Sequence, residues 1–292
     1  MTRKASTSRH LSPTQRKRLY SVARLLAEAY GPHIFPDEKD AMGKMLFAIL
    51  VSQTAVTNAR KAMREFREMA LDWNELRVHS VREIEEALAR CRIAPAGPLA
   101  TLLKRFMQAS FDALCTMRLE VLAQARPEVL KGYLQAIGFL PPYLVQYLRL
   151  VCGLDSTPPL DPATERILER IGIFEPGCED AEARRAALGA VLEDPLHFHH
   201  LMHEHGRKLC TPERPRCSRC VVYEHCAYPR SAQGSAEAAA AAEGGGAAAR
   251  RRRPSSKQKA ARAAARSKRK GSKRAGAGGG EQRPAAAARR RP

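Results

Sequence analysis

Cys210-Thr211-Pro212-Glu213-Arg214-Pro215-Arg216-Cys217-Ser218-Arg219-Cys220-Val221-Val222-Tyr223-Glu224-His225-Cys226 is the stretch on which the reading turns. It places four thiols within seventeen residues, spaced Cys-x6-Cys-x2-Cys-x5-Cys. Thiolates are soft ligands, and four on one short loop can wrap a single metal centre. Zinc sites commonly use two separated Cys-x2-Cys knuckles. Here only Cys217 and Cys220 form such a pair, flanked by wider gaps, and the segment has no strand pattern. The spacing points to a loop wound around something larger than one ion, an iron–sulfur cluster. Zinc and reduced, unliganded thiols are the alternatives.

Outward from this loop the chain reads as all-α. Val-, Ile- and Thr-rich alternation is nearly absent, while apolar residues recur at helical spacing. Ser12-Pro13 predicts a helix to about Tyr30, with serine as cap and proline in the first turn. Further helices are predicted from Asp40 to Ser52, Thr57 to Met69, Val81 to Cys91, Pro98 to Leu114, Pro127 to Ile137, Pro141 to Cys152, Ala163 to Ile171, Ala181 to Leu192 and Leu196 to Leu209. Short connections and no fixed repeat predict a compact helical protein rather than a solenoid. No apolar run approaches a membrane span, and Met1 to Arg18 is basic and polar without the apolar core of a secretory signal. The expected setting is reducing, which favours metal over disulfides for clustered cysteines. Cys91, Cys115, Cys152 and Cys178 are expected to act as small apolar residues.

The formal charge of +20 is unevenly spread. Residues 232–292 hold 17 Lys and Arg against three acids, a net +14, leaving +6 for residues 1–231. This tail has no aromatic residue and no Leu, Ile, Val or Met, so it cannot offset its ordering entropy and is expected to be disordered. Its basic runs (Arg250–Arg253, Lys268–Lys270, Arg289–Arg291) suit nucleic-acid binding by counterion release. A solvated tail or a nuclear-targeting run is the alternative.

With His205-Gly206-Arg207 before it and Pro215-Arg216-Cys217 inside it, the cysteine loop resembles that of the endonuclease III and adenine-glycosylase group of the helix-hairpin-helix glycosylase superfamily. The resemblance covers about residues 12–229. It implies a [4Fe–4S] cluster on Cys210, Cys217, Cys220 and Cys226, and a two-lobed all-α fold with duplex DNA, carrying a damaged base, in the cleft between lobes. The expected division is residues 1–39 as an N-terminal helix packing with the cluster lobe, 40–153 as a six-helix barrel, 154–231 as the cluster lobe and 232–292 as the tail. Lys208, Arg214, Arg216 and Arg219 lie among the ligands; Arg216 and Arg219 are expected to touch phosphates, or else only to solvate the loop.

Two further segments carry the resemblance. Leu134-Gln135-Ala136-Ile137-Gly138-Phe139-Leu140 occupies the place of the hairpin. A tight turn with outward N–H groups beside a helix N-terminus grips phosphate without reading sequence. Gly138 suits a positive φ, and Ile137, Gly138 and Leu140 become expected DNA contacts. The family has Pro-Gly where this chain has Gln135-Ala136, and a plain helical corner is the alternative. Leu160-Asp161-Pro162-Ala163-Thr164-Glu165-Arg166-Ile167 matches the family's apolar-Asp and Arg-apolar pattern, implying Asp161 as the catalytic carboxylate. Such a group stabilises the cation that forms on the sugar and orients or deprotonates water. Asp161 also suits a helix N-cap, and one residue can do both.

Departures from the family refine the expectation. Bifunctional members carry a lysine two residues after the hairpin's second glycine, which attacks C1′ as an amine. Leu140 stands there, and no lysine lies between Gly138 and Asp161. The chain is therefore expected to be a monofunctional base-excision repair glycosylase with weak or absent lyase activity. Adenine-specific members use a glutamate where this chain has Ala48, which disfavours adenine excision. Leu50-Val51-Ser52-Gln53-Thr54 is similar to the helix end before a DNA-facing loop, so Gln53 is expected to fill the gap left by a flipped base; a polar helix end is the alternative. Arg92-Ile93-Ala94-Pro95-Ala96-Gly97 is similar to members that remove alkylated or mismatched bases.

His197 to His205 holds five histidines, with His199 and His203 four apart like a zinc pair, but no third ligand is evident. Packing or facing DNA is the expected role. Trp73 is expected to anchor packing, and Tyr143 and Tyr147 to stack on a flipped base or fill the core. The expected partners are double-stranded DNA and, for the tail, nucleic acid, with no membrane and a monomeric state. The expected location is the cytoplasm, at the nucleoid, in a bacterium, or the nucleus in a eukaryote. The competing reading is a non-catalytic, cluster-bearing DNA-binding or redox-sensing protein of the same fold. A zinc-stabilised RNA-binding module is a third.

Overall fold

A computed structural model describes residues 10–31, 37–175 and 180–230. The tail and Cys178 lie outside these. Among the described residues the chain is helical throughout, without a strand. Eleven α-helices occur there: α1 (Pro13–Tyr30), α2 (Ala41–Gln53), α3 (Val56–Met69), α4 (Trp73–Val78), α5 (Val81–Arg90), α6 (Ala96–Leu114), α7 (Pro127–Ala136), α8 (Pro142–Val151), α9 (Pro162–Arg170), α10 (Ala181–Gly189) and α11 (Pro195–Lys208).

Local chemistry sets the boundaries. Ser12 accepts from the Gln15 amide while the Gln15 side chain returns to the Ser12 amide, a reciprocal cap, and Pro13 sits in the first turn. Ser80 and Glu83 do the same for α5. Asp40, Asp72, Asp161, Asp180 and Asp194 cap α2, α4, α9, α10 and α11. Two elements escape the periodicity reading. Helix α4 has six residues, of which only Leu76 is buried, and a 3-10 segment spans Leu119–Gln124.

The buried apolar residues form two cores. The first runs from Ala41 to Cys152 and centres on α2. Ten of the thirteen α2 residues are buried, as expected of a helix that is apolar all round, and α3, α6 and α8 pack against it. The second core joins Leu19, Val22 and Leu26 of α1 to Ile167 and Leu168 of α9 and to Phe198 and Met202 of α11. Helix α11 crosses both α1 and α9, and it approaches α9 closely at Gly206: a Cβ there would lie 2.5 Å from that of Ala163. Helix α10 is fastened by arginines. Arg185, 3% exposed, donates to Asp155 Oδ2 (2.7 Å) and the Pro158 carbonyl (3.3 Å), and Arg184 pairs with Glu165 at 3.0 Å.

Candidate active site and cysteine chamber

Asp161 precedes α9, and its side chain is the helix cap. Oδ1 accepts from the Thr164 amide at 2.8 Å. Oδ2 meets Nδ1 of His203, from α11, at 2.6 Å. Asp161 is 2% exposed. Burial alone pushes its carboxyl up. The His203 hydrogen bond, the charges of His199 and His203 and the Thr164 amide outweigh burial and hold it well below the ordinary carboxylate range. Asp161 is thus a buried, ionised group in which capping and charge coexist.

The end of α2 lies on the other side of His203. Its ring Nε2 is 3.2 Å from the Val51 carbonyl. Arg207, one turn further along α11, donates to the same carbonyl at 3.0 Å and also to the Thr54 carbonyl. Val51 belongs to the last turn of α2, where carbonyls lack helical partners and the helix dipole favours cations. Two side chains of α11 therefore tie the second core to the end of α2. Tyr143, at the start of α8, is half-buried and hydrogen-bonds Ser52. Burial pushes its phenol up, the Ser52 bond opposes this, and the Asp161 charge adds to it. Gln53 closes α2 with an exposed side chain beside this group.

The remaining histidines of α11 are packed inside. His199 is 5% exposed and stands edge-on to Tyr147 at 5.6 Å; burial pushes it down to about 4. The Tyr147 hydroxyl bonds Nε2 of His200 at 3.1 Å. Tyr147 is fully buried, so of the two tyrosines only Tyr143 lies by Asp161 with partial exposure. Trp73 anchors packing: its Nε1 donates to Asp40 at 2.8 Å and Arg67 lies over its ring.

The turn between α7 and α8 departs from expectation. Gly138 is not among the residues with positive φ. It serves close approach instead, since a Cβ there would lie 3.1 Å from the Gln135 carbonyl. The side chains of Ile137 and Leu140 are 0% and 4% exposed, in the first core. The amides of Ile137, Gly138 and Leu140 donate to the carbonyls of Tyr133, Gln135 and Ile137. The expected outward donors at these three positions are thus already engaged within the turn, because a helix that ends on a tight corner uses its own carbonyls first.

Cys210, Cys217, Cys220 and Cys226 line one cavity with Ile167 and Val222. Two 3-10 turns, Cys217–Arg219 and Tyr223–His225, wind the loop round it. Helix α9 grips the same loop from its far end. Arg166 donates to the Cys210 carbonyl at 3.1 Å; Arg170 donates to Cys210 Sγ at 3.3 Å and to the Thr211 carbonyl at 2.7 Å. Among the described residues no three His, Cys, Asp or Glu side chains are grouped closely enough to hold a single ion. Burial and the neighbouring thiolates push Cys220 up to about 11 and Cys226 up to about 12. Four ionised sulfurs can share such a chamber only around a positive centre, and the donor set suits a multi-iron group. Arg216 and Arg219 are exposed, and Arg216 also borders the cavity.

Sequence reasoning missed His203 as Asp161's partner. The i, i+4 spacing to His199 drew attention to a metal pair, whereas the contact that matters spans 42 residues. The signal available was a polar residue on the face of α11 that otherwise packs inward.

No protein-family model matches the chain. Endonuclease III of Sulfolobus acidocaldarius is 30% identical over 102 residues, 34% of this chain and 45% of that protein. DEMETER-like protein 2 of Arabidopsis thaliana is 27% identical over 203 residues, 62% of this chain and 15% of that protein. The chain thus spans less than half the length of either relative. Among solved structures, a thermostable thymine-DNA glycosylase superposes with a TM-score of 0.56 at 15% identity, covering 74% of this chain and 97% of that one. Endonuclease III in a non-covalent complex with DNA gives 0.52 at 12% identity, covering 76% and 97%.

Proposed function

We propose that this chain, endonuclease III-like in sequence and in its helix-hairpin-helix glycosylase fold, is a monofunctional DNA glycosylase that hydrolyses the N-glycosidic bond of a damaged or mismatched base flipped from duplex DNA. The observation that carries the reading is Asp161: a carboxylate kept ionised although buried, at a helix N-terminus beside the end of α2. Breaking the glycosidic bond leaves positive charge on the sugar, and a fixed anion stabilises it and orients the attacking water. Water is the nucleophile because the position of the family's amine is Leu140, buried in the first core, and no lysine lies between Gly138 and Asp161.

The residues that would hold a [4Fe–4S] cluster are Cys210, Cys217, Cys220 and Cys226. Such a cluster would supply the positive centre the thiolates need and would lock the loop that α9 and α11 both contact. Gln53, exposed at the end of α2, fills the space vacated by the base, and Arg216 and Arg219 meet phosphates. The basic tail raises the local concentration on nucleic acid.

The test is a panel of duplexes, each with one lesion, assayed for base release with and without alkali. Base release that leaves an abasic site, lost in Asp161→Asn while binding persists, is the expected result. Strand breaks without added amine or heat would refute the monofunctional part. A brown, iron-containing protein is expected; a colourless zinc protein would remove the cluster. If no base is released while DNA is held tightly and binding varies with oxidation state, the non-catalytic redox-sensing reading replaces this one.

A further inference from the structure

His203 stands between two oxygens that can only accept. Nδ1 is 2.6 Å from a carboxylate oxygen of Asp161, and Nε2 is 3.2 Å from the Val51 carbonyl. A neutral imidazole has one donor and one acceptor nitrogen, so it cannot serve a carboxylate and a carbonyl at once. With Asp161 ionised, both contacts are satisfied only if the ring is imidazolium, so that the pair carries one shared proton. The pair is then electrically neutral, and the charge of Asp161 is already balanced.

We propose that His203 is a positioning residue that latches Asp161, and that the two form a one-proton dyad whose deprotonation unlatches the carboxylate for glycosidic bond cleavage. The consequence for rate rests on the glycosylase reading above; the dyad itself does not. When the proton leaves, Nδ1–H keeps its bond to Asp161, but Nε2 then turns a lone pair toward the Val51 carbonyl and that tether is lost. The ring that covers Oδ2, itself 12% exposed, becomes free to swing. Asp161 is left with an unbalanced negative charge, which is the form that stabilises a sugar cation.

The neighbours set the sign of the effect. From α11, Arg207 shares the Val51 carbonyl and its fixed charge opposes the proton on His203, while the His199 ring lies tilted one turn away at 6.0 Å, pushed down by burial. From α9, Asp161 favours the proton and the Thr164 amide fixes the carboxylate that does so. From α8, Tyr143 is engaged with Ser52 and stays protonated as burial pushes it up. The pair that bridges α9, α11 and the end of α2 through hydrogen bonds is Asp161–His203.

Two measurements on the full-length, metal-loaded protein test this. Nitrogen-15 NMR of histidine-labelled protein, with His203→Gln to assign the signal, reads the protonation of the ring directly. Two protonated nitrogens at neutral pH, falling to one in Asp161→Asn, are expected. If His203→Gln does not fold, His203→Asn makes the assignment. A singly protonated ring in the wild type would overturn the dyad. Single-turnover base release against pH is the second measurement. The wild type should rise with a slope of about one in log rate per pH unit as the dyad loses its proton, and His203→Gln should be flat over that range. An unchanged profile in His203→Gln would overturn the latch. A doubly protonated ring with no base released from any lesion would leave the dyad standing and sink the enzyme reading instead.

Discussion

Asp161 caps α9 and also holds a charged contact, and two substitutions separate these roles. Asparagine is as good an N-cap as aspartate, so Asp161→Asn keeps the bond to the Thr164 amide and loses only the charge facing His203. Asp161→Ala loses both. A cap is worth about 1 kcal/mol, and a hydrogen bond to a charged group about 1.5–3 kcal/mol. Asp161→Asn is then expected to cost about 2 kcal/mol and Asp161→Ala about 3 kcal/mol. For a folded region of this size each kcal/mol moves Tm by about 2–4 °C. Thermal unfolding followed by circular dichroism at equal metal loading should therefore fall by about 4–8 °C for asparagine and about 6–12 °C for alanine. Both variants should lose base release. The pH dependence has a fixed sign. Folding holds this carboxyl below its unfolded value of about 3.9, so its stabilisation is complete above that value and is lost as pH falls through the folded one. The gap between wild type and Asp161→Asn should be full at neutral pH and shrink in acid. Equal losses for the two variants would show that Thr164 is not capped by this side chain, and no loss for alanine would refute the buried charge.

Gly206→Ala drives a methyl into Ala163, 2.5 Å away on α9. A backbone-fixed neighbour cannot swing aside, so a loss of about 1–3 kcal/mol is expected in the denaturant midpoint; an unchanged midpoint would deny the close crossing. Arg185→Met removes the partner of Asp155 in a site where the arginine is 3% exposed, at an expected cost of about 3–5 kcal/mol. Adding Asp155→Asn should restore part of that, and no restoration would show that the pair is not what holds α10. Removing residues 232–292 should flatten the salt dependence of duplex binding, by about 4.5 in the log–log slope if about five phosphates are engaged; an identical slope would show that the tail does not touch DNA.

Much of the helical frame was legible because its punctuation is explicit. Ser12-Pro13, Ser80 with Glu83, and Asp161-Pro162 each announce a helix start that the structure realises within a residue. Helix α4 was not legible, since six residues with one buried leucine carry no periodic signal. Gly138 was misread because a glycine can answer either to a positive φ or to a crowded backbone, and sequence does not tell the two apart; the carbonyl of Gln135 supplies the crowding. The grouping of the four cysteines was legible from their spacing on one loop, and the structure brings them round one cavity. The capping role of Asp161 was legible from its place before Pro162 and a helix. His203 was not tied to it, because a contact between residues 161 and 203 exists only once α9 and α11 cross.

Helix α11 presents His199, His203 and Arg207 on successive turns of one side and runs within two residues into Cys210. At about 1.5 Å per residue its fourteen residues make a rod of about 21 Å, and its one glycine, Gly206, is wedged against Ala163 rather than left as a joint. One rod therefore carries both ends of the arrangement: the residues that hold the end of α2 and the approach to the first thiol of the loop share a single rigid element.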